Sequence, residues 1–392
     1  VTIKRSQDDF LLNTLRAQQS KHASYASIDS ALYEIEQILG SIDNDHLSEA
    51  INNFFGAWSD LATAPTDPSR KQQVVSMAST LVTDFHSINA SLEDLEANID
   101  QQIEDEIGAL NNYLAQIGAL NGQIMAAEGG GQPASDLRDQ RDLPVTELSK
   151  IAAVTPEGRD AGSLDIILGG RTMITRTSVQ QFTTTYEQTD HGYEMTVVTE
   201  GNYHEVDLPG GRLSGLLTSR DVYVQDFRDD MDRVASMLID AVNELHVQGQ
   251  TGSSAGVLFF SGDSMHTITL NPMLEEDPGL VATSRSGEAG DTDIAREIAA
   301  LAEQAAPGES ETVGDRYRGV LIDVASKRSG FEFLVDNQAS AVSAVEAKIA
   351  STTGVSLDEE AASMVRYQNS YAAAARVITA AQEMFDTLVA MV

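Results

Sequence analysis

"DPSRKQQVVSMASTLVTDFHSINASLEDLEANIDQQIEDEIGALNNYLAQIGALNGQIMAAE", Asp67 to Glu128, is the most regular stretch of the chain. Val74, Leu81, Ile88 and Leu95 recur every seven residues, and Phe85, Leu92 and Ile99 follow members of that series by four. Interleaved spacings of three and four define the seam of a coiled coil. Ile103, Leu110, Ile117 and Ile124 then restart the seven-residue spacing one residue late, eight after Leu95. A stripe that drifts in this way fits a long, nearly straight helix whose apolar face rotates slowly against its partners. At 1.5 Å per residue, about 60 residues reach roughly 90 Å, the length of a rod. The glycines of "EGGGQP" stop it.

Working outward, the same period recurs on both sides. Leu11, Leu12, Leu15, Ile28, Leu32, Ile35 and Leu39 mark a thin stripe on a helix from Lys4 to Leu39. Leu47, Ile51, Phe54, Phe55, Trp58 and Leu61 mark a shorter one, closed by the prolines of "APTDPSR". Downstream, "SDLRDQRDLPVTELSKIAAV" is helical, with a bend or break expected at Pro144. From Val154 to Leu208 the pattern changes to short alternating runs rich in Thr, Val, Ile and Tyr, punctuated by Gly, which predicts antiparallel strands and hairpins. "PGGRLSGLL" returns the chain to helix, with Leu217, Val224, Met231, Leu238 and Leu245 seven apart. Gln248 to Gly290 is loop-rich, with short strands expected at "GVLFF" and "HTITLN". Helices follow over Thr292–Gln304, Val313–Ala350 and from Leu357 onward.

The expected fold is therefore mainly α with a β insert. It is an elongated bundle of long coiled-coil-like helices from both chain ends, plus one small antiparallel β domain. The expected division is a helical rod domain in three parts, 1–152, 212–250 and 292–392, interrupted by the β domain 153–211 and a loop-rich segment 251–291.

Composition narrows the function. The 392 residues carry 60 acidic and 25 basic side chains, a formal net charge of −35. Such a chain repels nucleic acid and anionic lipid, so neither is expected as a partner. The absence of cysteine excludes disulfides, thiolate metal sites and cysteine nucleophiles. No 18-residue apolar run appears, and no cleavable signal peptide is visible in these residues.

Each candidate for chemistry has a structural explanation. "SGDSM", Ser261 to Met265, faintly resembles the nucleophile block of GDS-type esterases, with His266 nearby, but no Asp-x-x-His block follows; a turn between strands is expected. The seven histidines show no helical pair at metal-ligand spacing. "DNDH", Asp43 to His46, lacks the glycine and spacing of a calcium loop and reads as a helix cap. Gly129 to Gly131 follow a helix rather than a strand, which rejects a phosphate loop. "LRDQRDL" places Arg138, Asp139, Arg141 and Asp142 on adjacent turns, as an ion-pair network on one helix or, more sharply, a domain contact. The acidic face of "LEDLEANIDQQIEDEI" reads as solvated. No catalytic residue, cofactor or metal is expected.

The last helix is different. In "GVSLDEEAASMVRYQNSYAAAARVITAAQEMFDTLVAMV", Gly354 to Val392, the residues Leu357, Met364, Tyr371, Ile378 and Phe385 fall every seven, with Tyr367 and Leu388 at the other seam position. Burying five such side chains is worth on the order of 10 kcal/mol, so a wet stripe here is an aggregation hazard unless something covers it. The first turns are expected to dock on the helical rod. The half beyond about Ala380 is expected to meet a missing or foreign partner.

These residues also carry a resemblance. Gly354–Glu360 and Tyr367–Ile378 are similar to the C-terminal block of the flagellar axial family, shared by rod, hook and hook-associated proteins. "IKRSQDDFLLNTLRAQQS", "INNFFGAWSDLATAPTDPSRKQQVVSMASTLVTDF", "LRDQRDLPVTELSKI", "PGGRLSGLLTSRD" and "AVNELHVQG" resemble, in order, further blocks of the hook-associated branch that forms the hook–filament junction. The resemblance implies a secreted, non-enzymatic structural subunit of the extracellular flagellum. It implies partners that are copies of itself in a helical layer, the hook protein, a second hook-associated junction protein and an export chaperone. Other axial proteins, or a secreted coiled-coil adhesin with a binding β domain, are the competing readings. Relatives carry a further N-terminal helix and an Asn-rich segment, so Val1 is expected to lie inside a longer protein and the isolated chain to be monomeric.

Overall fold

The computed structural model describes residues 9–40, 46–130, 133–189, 192–201, 203–251, 254–306, 308–353 and 357–390. The chain divides into two compact units, Arg16–Ser340 and a second made of Val1–Leu15 with Ala341–Val392. The long elements are α1 (Asp9–Leu39), α2 (His46–Thr63), α3 (Pro68–Glu128) and α4 (Ser135–Ile151). Strands β1 (Val154–Gly158), β2 (Leu164–Leu168), β3 (Arg171–Thr175), β4 (Ser178–Val179), β5 (Phe182–Thr189) and β6 (Gly192–Thr199) follow. Then come α5 (Gly211–Thr218) and α6 (Gln225–His246). The next segment holds β7 (Gln250–Thr251), β8 (Ser254–Ala255), β9 (Phe260–Ser261), β10 (Thr269–Leu270) and α7 (Pro272–Glu276). Helices α8 (Asp293–Ala300), α9 (Val313–Thr353) and α10 (Leu357–Ala390) complete the order.

Helix α3 organises the unit Arg16–Ser340. Asp67 caps it by accepting from the Ser69 N–H at 2.9 Å, and Pro68, which has no N–H to satisfy, opens the first turn. Both heptad series are buried along its whole length. They pack against α2 and α4 and against the non-helical segments. On α2, Phe54 and Trp58 meet Phe259 and Phe260 from the loop-rich segment, with ring centroids 5.5 to 5.8 Å apart for Phe54–Phe260, Phe54–Phe259 and Trp58–Phe259. That segment therefore supplies core rather than covering it.

Helix α4 runs through Pro144 without a break. Pro144 is buried and sits mid-helix, while Gln140, whose carbonyl loses its intrahelical donor, is exposed to water.

The β insert forms two sheets rather than one. Strands β1 to β4 make a meander in sequence order, and β5–β6 is a separate hairpin. Gly169 and Gly170, with φ of 53° and 73°, make the two-residue turn between β2 and β3. Ile166, Leu168, Met173, Ile174, Phe182, Met195 and Val197 belong to the same continuous core as the helices. Returning to helix, Ser219–Val224 between α5 and α6 is π-helical, an irregularity the heptad pattern does not reveal.

Candidate assembly face and the contacts behind it

The predicted interface residues all lie on α10. Met364, Tyr367, Tyr371, Ile378 and Phe385 are 60 to 80% exposed. Leu357 and Leu388 stand on the same helix, but their side chains lie outside the described residues. Every described side chain from Ala361 to Thr387 is exposed. Tyr367 is 76% exposed and Phe385 67%, while the side chains of the first turn, Leu357 to Glu360, lie outside the described residues. Heptad spacing gives the face of a helix but not the identity of what covers it, which is why the two halves cannot be told apart by pattern.

Among the described residues there is no cluster of side chains able to hold a metal ion. "SGDSM" is a turn: the Thr267 hydroxyl accepts from the Asp263 and Ser264 N–H groups at 3.0 and 3.1 Å and lies 2.8 Å from the Ser264 hydroxyl. His266 is 71% exposed and lies 3.2 Å from Asn89. Of "DNDH", Asp43 to Asp45 lie outside the described residues.

Three asparagines do what the sequence reading did not foresee. Asn121 is wholly buried on α3. Its amide donates to the Leu164 and Arg176 carbonyls at 2.8 and 2.7 Å, and its oxygen accepts from the Leu164 N–H at 3.1 Å and from Arg141 at 2.8 Å. Asn111 donates to the Phe182 carbonyl and accepts from its N–H, at 2.8 and 2.9 Å. Asn243 on α6 holds the backbone of Phe259 and Phe260 in the same way. An amide side chain offers a donor and an acceptor side by side, so each asparagine substitutes for a neighbouring strand. The available signal was Asn121 itself, a polar residue in the seam between Ile117 and Ile124. Arg141 also donates to the Gly162 carbonyl at 2.8 Å, and Arg138 pairs with Glu128 on α3 at 2.7 Å. Arg138 and Arg141 of the "LRDQRDL" motif thus bond to groups outside their own helix.

The acidic face of α3 is not simply solvated. Glu106 pairs with Arg212 at 2.8 Å, Asp100 with Arg220 at 2.7 Å and Glu96 with Arg228 at 2.7 Å, an antiparallel ladder from α3 to α5–α6. In an unbroken α-helix the 16 residues from Arg212 to Arg228 would set them about 160° apart around the axis. The wider π turns at Ser219–Val224 take up roughly an extra residue per turn and bring both to the α3 side. Arg220, on the π segment, is almost wholly buried; its bonds to Asp221 and Asp100 outweigh the burial that opposes its charge. Arg220→Ala is expected to destabilise the chain by about 3 kcal/mol, because the partner carboxylates are left unpaired in a part-buried site. Arg220→Lys should recover only part of this, because an ammonium lacks the guanidinium fork that spans two carboxylates. Chemical denaturation of both variants checks it.

A cross-linked helical framework and, on α10, an exposed apolar stripe are features of a structural protein. The comparisons identify the kind. A family model described as "Flagellar hook-associated protein FlgK helical domain" matches residues 32–260, and one described as "Flagellar basal body rod FlgEFG protein C-terminal" matches 349–391. Flagellar hook-associated protein 1 of Escherichia coli K12 is 24% identical over 99% of this chain and 88% of its own length. That of Bacillus subtilis is 23% identical over 99% of this chain and 84% of its own. A solved structure of the flagellar hook junction protein FlgK from Burkholderia pseudomallei aligns with a TM-score of 0.59 at 26% identity, covering 64% of this chain and 46% of that one. The chain belongs to the FlgK family of flagellar hook-associated proteins. It is a structural component of the bacterial flagellum and not an enzyme.

Proposed function

We propose that the chain forms the layer joining hook to filament on the outside of the cell, and that the α10 stripe is its assembly face. The observation that carries this reading is the exposed heptad series Met364, Tyr371, Ile378 and Phe385, set on the segment that the rod-protein C-terminal model matches. An apolar seam of this length on an exported structural subunit is stable only against apolar helices of neighbouring flagellar subunits. Those neighbours are copies of the chain in a helical layer, the hook protein and a second hook-associated protein, with an export chaperone covering the face beforehand. Head-to-tail contacts between identical subunits build such a layer. In this reading 1–152, 212–250 and 292–392 form the helical framework, and 153–211 and 251–291 are attachments to it.

Photo-cross-linking from Tyr371 and Phe385 in purified flagella tests the reading. Adducts with flagellar subunits are expected, and flagella that carry the labelled chain without any such adduct would refute it. The purified chain should sediment as a monomer, since the stripe is built for other subunits; a stable closed oligomer at micromolar concentration would count against this.

A further inference from the structure

The stretch Asp277–Ser284 crosses two buried cationic or potentially cationic side chains. Lys71 on α3 donates to the Gly279 and Val281 carbonyls at 2.8 and 2.7 Å. His246, at the end of α6 and wholly buried, accepts from the Ala282 N–H through Nε2 at 3.0 Å. Its Nδ1 lies 2.6 Å from the Val257 carbonyl, so Nδ1 carries the proton and the ring is neutral. The strap is fastened further by the Gln250 N–H to the Ser284 carbonyl at 2.7 Å and the Ala295 N–H to the Thr283 carbonyl at 3.3 Å. The charged groups that act on the site are Lys71 from α3, which acts on the His246 ring, and Asp277 from the strap, which acts in turn on Lys71. Lys71 is buried and Asp277 exposed, so neither sets a buried carboxylate against a second cation.

We propose that this strap is an acid-released latch: a second proton on the His246 ring turns Nε2 from acceptor to donor, sets a cation beside Lys71 and frees Asp277–Ser284 while the helical framework stays folded. Donor would then face donor at Ala282, and an unpaired charge in the interior is relieved by local opening. Burial pushes the imidazole from 6.5 down to about 4, with Lys71 acting in the same direction and the bond to Val257 against it. The opened form therefore binds the proton more readily than the closed form between those values. The latch is at full strength above about pH 6.5 and weakens as pH falls through the window.

Hydrogen exchange across residues 277–284, corrected for the intrinsic pH dependence of exchange, reads the opening directly. Protection is expected to fall roughly thirtyfold between pH 7.5 and 5.0, with α3 unchanged. Trp58, the one tryptophan of the chain, stands 6.1 Å from the His246 ring and should change its fluorescence over the same range. His246→Gln should remove the pH dependence. His86→Gln, at the ring that meets the Ile268 carbonyl, and His266→Gln, within the loop-rich segment itself, should keep it. If His246→Gln does not fold, the ring titration of the unmodified chain by NMR replaces it, and strap opening must follow that titration. Strap protection independent of pH, or lost only together with that of α3, would overturn the proposal.

Discussion

Asn121→Ala is expected to cost about 4 kcal/mol of stability, the largest effect of any substitution at a single polar residue in this chain. Two backbone carbonyls, one backbone N–H and the Arg141 guanidinium lose their shared partner at a fully buried site. The side chain is fully buried between α3, the start of β2 and the β3–β4 turn. Asn121→Asp should be nearly as damaging: it retains an acceptor for Arg141 but aims lone pairs at the Leu164 and Arg176 carbonyls. Urea unfolding checks both, and a loss below about 1 kcal/mol would show that the β insert is held by its apolar core instead.

Ile378→Asp is expected to have the opposite profile. Ile378 is 60% exposed on α10, so the purified chain should keep its melting temperature, as surface substitutions stay within about 0.5 kcal/mol. In the cell the same change should abolish filament attachment, because a carboxylate would then enter an apolar seam without a partner. Export of the variant into the medium at normal levels would locate the defect at assembly. A large drop in the melting temperature of the purified chain would instead place Ile378 in an internal core.

The helices were legible because apolar period and caps are local. Asp67, Pro68 and Gly129 delimit α3 to the residue, and both of its heptad series are buried. The cross-links were not legible. Asn111 meets Phe182 across 71 positions, and Arg228 meets Glu96 across 132, distances over which no sequence spacing is informative. The acidic face of α3 looked solvated because a carboxylate on a helix reads the same whether water or an arginine faces it. The π segment escaped for a related reason. It changes the phase of the helix while leaving an apolar residue at each seventh position. On α10 the pattern gave the stripe, because a seven-residue spacing fixes a face, but it does not specify what covers that face.

Electron microscopy of a strain lacking the gene for this chain tests the central claim most directly. The expected result is intact hooks without filaments and flagellin released into the medium. Filaments still attached to their hooks, on cells that swim, would contradict the account.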